Sequence, residues 1–204
     1  MAISIARKAV RMWRGMAARL ALCVWIALPT QAWAGATPVA VELVLALDAS
    51  ASMDRAEFDL QIKGLAAAFR DPGVLEALKN LGPSGAAIAV TQWGSVSEAK
   101  VIIPFTRLIS ARDAKAFGFR ISRARRAFLA SDTSIATAIV HAVTLLDENS
   151  YFGDRRVIDV SGDGVDNGGL DLAAARDLAL NSGVVVNGLP IDADGVGLAD
   201  YYRR

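Results

Sequence analysis

The sequence predicts a three-layer α/β domain built on a doubly wound, mostly parallel sheet with one antiparallel edge strand. Three observations lead there. Apolar runs of strand length alternate with stripes of helical spacing along the chain. The first run, residues 39–47, is almost continuously Val, Leu and Ala, as in a strand buried on both faces. The second and third runs, 86–93 and 100–105, are joined by a short polar turn, so they form a hairpin and the third strand runs antiparallel.

The remaining elements follow in order. In residues 54–70, Phe58, Ile62, Leu65 and Phe69 fall at spacings of four, three and four, a helix stripe that Asp71-Pro72-Gly73 ends. Ala114, Phe117, Ile121, Ala124 and Phe128 predict a second helix. A third spans 133–146, with Ile135, Ile139, Val143 and Leu146 on one face. A strand over 156–161, a helix over 170–181 closed by Ser182-Gly183, a strand over 184–189 and a helical tail over 197–204 complete the chain.

Length and composition agree. The 204 residues are 53% hydrophobic and 21% charged, which suits one globular domain and excludes a disordered chain. No period of 20–50 residues marks a solenoid or a propeller. The formal net charge of +1 averages two unlike parts. Residues 1–34 hold five Lys or Arg and no acid, run apolar from Leu20 to Leu28, and end in Ala32-Trp33-Ala34. That is the pattern of a secretory signal peptide cleaved after Ala34, and the apolar run is about half what a membrane span needs. The mature chain is expected to be exported, periplasmic or extracellular, with a linker over 35–40 and the domain over 41–204. Without residues 1–34, 17 basic residues face 21 acidic ones, a net charge of −4, which argues against nucleic acid as a partner. The one cysteine, Cys23, lies in the signal. Leu22 is too bulky and Arg19 too close for a lipoprotein site there.

In doubly wound sheets the ligand site lies beyond the carboxyl ends of the strands, where the strand order reverses. The first strand runs into Asp48-Ala49-Ser50-Ala51-Ser52, and the fourth ends in Ser161-Gly162-Asp163-Gly164. With strands ordered 3-2-1-4-5, the first and fourth are neighbours at the switch point and Asp48 faces Asp163. Two adjacent carboxylates repel unless they share a proton or a cation.

Asp48-x-Ser50-x-Ser52, Thr133 opening a later helix, and the strand-ending Asp163-Gly164 resemble the metal-ion-dependent adhesion site of von Willebrand factor type A domains. The likeness covers residues 41 to about 200, and Ile158 to Gly164 with the secretory context is similar to an uncharacterised bacterial branch of that superfamily. The resemblance implies that Ser50, Ser52 and Thr133 ligate through hydroxyls and Asp48 and Asp163 directly or through water. An all-oxygen set suits Mg²⁺ (or Mn²⁺). Two carboxylates against a divalent cation leave no net charge. The family's open position typically takes an Asp or Glu carboxylate of a protein partner, and the expected activity is binding without catalysis. The resemblance departs at one point: the family's usual fold adds a further strand and a C-terminal helix after residues 184–189.

Helix capping by Ser or Thr explains each of these elements singly but not two facing carboxylates with hydroxyls between them. Asp159-x-Ser161-x-Asp163-Gly164 begins like a calcium loop, yet its twelfth position is Leu170 and the segment lies in a strand. Asp192-Ala193-Asp194-Gly195 reads as a turn, and Arg125-Arg126-Ala127-Phe128-Leu129 is an internal mimic of an export signal, part of a helix. His141 reads as a surface residue, so a Ser-His-Asp nucleophile has no base. The basic run from Arg107 to Arg126 is either a solvated helix face or a surface for an acidic partner. Two other functions compete: a metal-dependent phosphohydrolase with an Asp nucleophile at the end of the first strand, and an envelope-assembly subunit with a purely structural metal.

Overall fold

A computed structural model describes residues 35–128, 132–191 and 197–203. The signal read over 1–34, the turn at Asp192 to Gly195 and Leu129 lie outside these residues. Five strands form one sheet: β1 (Thr37–Asp48), β2 (Ala86–Trp93), β3 (Ala99–Leu108), β4 (Tyr151–Gly162) and β5 (Val184–Pro190). Among the described residues the α-helices are α1 (Arg55–Ala68), α2 (Pro72–Asn80), α3 (Ala111–Ile121), α4 (Ile135–Glu148) and α5 (Leu172–Asn181), which join the strands, and α6 (Leu198–Tyr202), which follows β5.

The strand order is β3-β2-β1-β4-β5, with β3 antiparallel to β2 and every other pair parallel. This is the expected architecture. Each face of the sheet carries its own core. Leu45, Leu47, Ile88 and Val90 pack under α1, α2 and α3 with Phe58, Ile62, Phe69, Leu78, Phe117 and Ile121. Val44, Ala46, Ile158 and Val160 pack on the other face under α4 and α5 with Ile135, Ile139, Val143 and Ala179. Neighbouring residues of β1 thus belong to opposite cores, which is why its sequence reads as a continuous apolar run.

The structure differs from the sequence reading at several points, and β4 begins at Tyr151, five residues before the expected strand. The expected linker over 35–40 is strand from Thr37 onward, because the Thr37 amide donates to Ser150 O at 2.8 Å and Ala40 N donates to Gly85 O at 3.0 Å. Asp71-Pro72-Gly73 does not simply stop a helix. The Asp71 carboxylate accepts from Gly73 N and Val74 N and starts α2, with Pro72 in the first turn, where a missing N–H costs nothing. The helix expected to reach Phe128 ends at Ile121, and the buried Gln92 amide captures the chain beyond it, as described below. His141 is half-buried, with Nε2 lacking a partner among the described residues, and burial lowers its pKa.

Candidate functional site

Three loops meet at the carboxyl ends of β1 and β4. The first follows β1, whose last residue, Asp48, lies in register with Trp93 of β2. Asp48 is fully buried, and its Oδ1 accepts from Ser50 N at 2.7 Å, a tight turn that folds Ser50 back over the strand end. The second loop brings Thr133, one residue before the α4 cap. Ser134 caps α4 through Thr137 N at 3.2 Å, which leaves Thr133 outside the helix with its hydroxyl aimed at the first loop. The third loop follows β4 and carries Asp163.

The five predicted residues come together. Ser50 Oγ and Ser52 Oγ lie 2.9 Å apart, and Thr133 Oγ1 is 3.3 Å from each of them. Ser52 Oγ donates to Asp163 Oδ1 at 2.8 Å. Ser50, Thr133 and Asp48 are buried, whereas Ser52 is exposed and Asp163 half-exposed, so the cluster opens to solvent on the Ser52–Asp163 side.

The electrostatics of the cluster are unbalanced. Asp48 Oδ2 is buried with no hydrogen-bond partner among the described residues. Desolvation pushes the Asp48 pKa from 3.8 up to about 6, opposed by the bonds from Ser50 and reinforced by the charge of Asp163. An orphaned buried carboxylate oxygen costs free energy unless something outside the protein balances it. A cation fits, and the donors around it are all oxygen. Among the described residues no three His, Cys, Asp or Glu side chains gather, here or elsewhere, so a cation at this site would rest on two carboxylates and three hydroxyls.

Residues that the sequence reading passed over hold these loops. Gln61, buried on α1, donates to Asp48 O at 3.0 Å and accepts from Ser161 Oγ at 2.7 Å, tying the two carboxylate-bearing strand ends together. Asn167 Oδ1 accepts from Thr133 N at 2.8 Å and the Asn167 backbone N–H donates to Thr133 O at 2.9 Å, clamping the third loop to the second. The third loop also meets the end of the chain: Tyr201 Oη accepts from Asp166 N at 3.1 Å and Tyr202 Oη donates to Gly164 O at 3.3 Å. A Cβ on Gly162 would lie 2.7 Å from both Asp48 Oδ2 and Tyr202 Oη, so glycine is required where these two oxygens flank the backbone. Burial, then the charges of Asp48 and Asp163, hold the Tyr202 phenol well above its usual pKa, so it stays a hydrogen-bond donor. A polar residue beside an apolar helix stripe (Gln61) and two of the chain's three tyrosines side by side were the available signals.

Residues 38–204 match a family described as a protein of unknown function (DUF1194). The chain belongs to that family. Among curated proteins none matches this member in sequence. Its fold is that of von Willebrand factor A domains, shared with several solved structures. Proximal thread matrix protein 1 of the mussel byssus matches with a TM-score of 0.55 at 18% identity, over 75% of this chain and 38% of that one. A second structure of the mussel protein is described as having a zinc-occupied MIDAS motif. An aerotolerance-related membrane protein from Bacteroides fragilis matches with a TM-score of 0.50 at 24% identity, over 74% of this chain and 67% of that one. The pilus adhesin SpaC from Lactobacillus rhamnosus GG gives 0.52 at 15% identity, over 78% and 26%. This DUF1194 chain therefore spans less than half the length of the mussel and Lactobacillus proteins, and at these identities the likeness is one of fold.

Proposed function

We propose that this chain is an exported, non-enzymatic binding module that holds Mg²⁺ (or Mn²⁺) on Asp48, Ser50, Ser52, Thr133 and Asp163. Through the cation it grips an Asp or Glu carboxylate of a protein partner. The observation that carries this reading is the unpartnered Asp48 Oδ2, fully buried beside three mutually touching hydroxyls. The zinc-occupied motif of the mussel protein supports a metal here, and the adhesin and matrix-protein neighbours support binding over catalysis. The basic, then apolar start of the chain and Ala32-Trp33-Ala34 support export.

The chemistry follows from the donor types. When bound, the cation supplies a Lewis-acid position for an incoming carboxylate. Asp48 and Asp163 balance its charge, and the three neutral hydroxyls leave it electrophilic. Exposure on the Ser52–Asp163 side gives the partner its approach. A phosphohydrolase built on an Asp nucleophile wants a second carboxylate two residues on as general acid, and Ser50 stands there with its hydroxyl turned into the cluster.

Thermal unfolding tests the reading. A ligand that binds only the folded state stabilises it by about 2.7 kcal/mol at a hundredfold excess over Kd. Mg²⁺ or Mn²⁺ should raise Tm, a chelator should reverse the rise, and capture of envelope proteins should be chelator-sensitive. Metal-dependent hydrolysis of a model phosphate ester, abolished by Asp48→Asn, would replace this reading with the enzymatic one.

A further inference from the structure

Arg126 hydrogen-bonds to none of the five clustered side chains, yet it grips the backbone that carries two of them. Its Nε donates to the Ala49 carbonyl at 3.2 Å, and its Nη2 donates to the carbonyl of Ser50. The guanidinium carbon lies 5.8 Å from the ring centroid of Phe58, a buried residue of α1. The segment bearing Arg126 is itself fixed. Gln92, fully buried on β2 in register with Leu47, donates to Arg125 O at 3.1 Å and accepts from Ala127 N at 2.7 Å. A buried amide thus fastens the residues on both sides of Arg126, and Arg126 fastens the loop after β1.

Two consecutive carbonyls drawn to one planar fork fix the peptide groups on both sides of Ser50. The intervening N–H, that of Ser50, is then committed to Asp48 Oδ1. The residues from 49 to 52 belong to no helix or strand. Ala49 N donates to Trp93 O at 2.8 Å and anchors the start of the loop, which leaves the Ala49 and Ser50 carbonyls to Arg126. A guanidinium can make this two-pronged contact while stacked on an aromatic ring. An ammonium cannot, because it is a point charge with no plane.

We propose that Arg126 is a positioning residue for the metal loop: its fork on the Ala49 and Ser50 carbonyls sets the register of Asp48, Ser50 and Ser52 and thereby the affinity of the site for a divalent cation. The consequence for affinity rests on the metal reading above, whereas the consequence for loop order does not. The sign of the effect separates positioning from charge. Arg126 is a cation beside a cation site, so by Coulomb's law alone its removal would tighten metal binding. Positioning predicts the opposite.

The test uses the whole chain with Arg126→Gln, Arg126→Lys and Arg126→Ala, titrated with Mn²⁺ and followed by amide hydrogen exchange across residues 49–53 without metal. Arg126→Gln should bind Mn²⁺ about tenfold more weakly, with exchange in 49–53 accelerated and the sheet strands unchanged. Arg126→Lys keeps the charge and most of the stem, and should lie nearer to Gln than to wild type. Millimolar ethylguanidinium should recover part of the Mn²⁺ affinity of Arg126→Ala. Equal or tighter Mn²⁺ binding by Arg126→Gln overturns the proposal, and so does weaker binding with unchanged exchange. If the wild type itself takes up no Mn²⁺, the metal reading fails, and exchange in 49–53 alone decides whether Arg126 orders the loop. Should Arg126→Gln not fold, the same two readouts on Arg126→Lys decide.

Discussion

Asp48 has two oxygens in different situations: Oδ1 is satisfied by Ser50 N, and Oδ2 by nothing among the described residues. The pH dependence follows. The folded state binds the Asp48 proton more tightly than the unfolded chain does, because its pKa rises from 3.8 to about 6. Without metal, this residue therefore destabilises the fold progressively as pH rises through the window from 3.8 to about 6, and the full penalty is present above it. A rise of that size corresponds to roughly 3 kcal/mol. We expect metal-free Asp48→Asn to be more stable than metal-free wild type at pH 8, with the difference shrinking towards pH 4. Urea unfolding of both proteins across that range checks it. With a cation bound the ordering should reverse. Asp48, Ser50 and Ser52 were legible in the sequence because an acid and two hydroxyls at alternate positions after an apolar strand have few structural explanations. Arg126 was not, because one arginine in a basic run looks like any other until the carbonyls it grips are known.

At the scale of elements, strands were easier to read than the segments between them. β1, β2 and β5 follow from their apolar runs, and α1 and α4 from their stripes. The stretch after α3 carries an apolar period as far as Phe128, yet it leaves the helix at Ile121 because the Gln92 amide offers backbone partners that a longer helix would have to forgo. Local periodicity does not register such a long-range bond. The loop after β4 shows the same dependence. A Cβ on Gly168 would lie 2.3 Å from Ser134 Cβ, so Gly168→Ala must push this loop away from the α4 cap. We expect it to weaken Mn²⁺ binding at least tenfold while the far-ultraviolet circular dichroism of the domain persists. Tyr202→Phe keeps the ring against Gly188 and removes only the bond to Gly164 O. Its loss should be smaller, about 0.5–1.5 kcal/mol of stability, readable by denaturant titration.

Taken as a whole, the molecule puts the proposed site where the strand order reverses, between β1 and β4, the place that the alternation of elements and the acids at two strand ends pointed to. The linker reading failed because the pairing of Thr37 with Tyr151 joins residues more than a hundred positions apart. Among the described residues β5 pairs with β4 alone, and Val185 and Leu189 on it are exposed, as is Leu180 at the end of α5. Beside them lies an apolar cavity of about 400 Å³ lined by Ile139, Val160, Val184, Val186 and Tyr201. Unpaired edges with exposed apolar side chains favour association. Light scattering should show mass rising with concentration, and Val185→Lys should suppress the rise without altering metal binding. The central claim concerns the cluster at the carboxyl ends of β1 and β4, and isothermal titration of Mn²⁺ into folded protein tests it most directly. The account predicts one cation per chain for wild type, weaker binding for Ser52→Ala and none for Asp48→Asn. A folded wild type that binds no divalent cation, or an Asp48→Asn that binds as tightly, would contradict it.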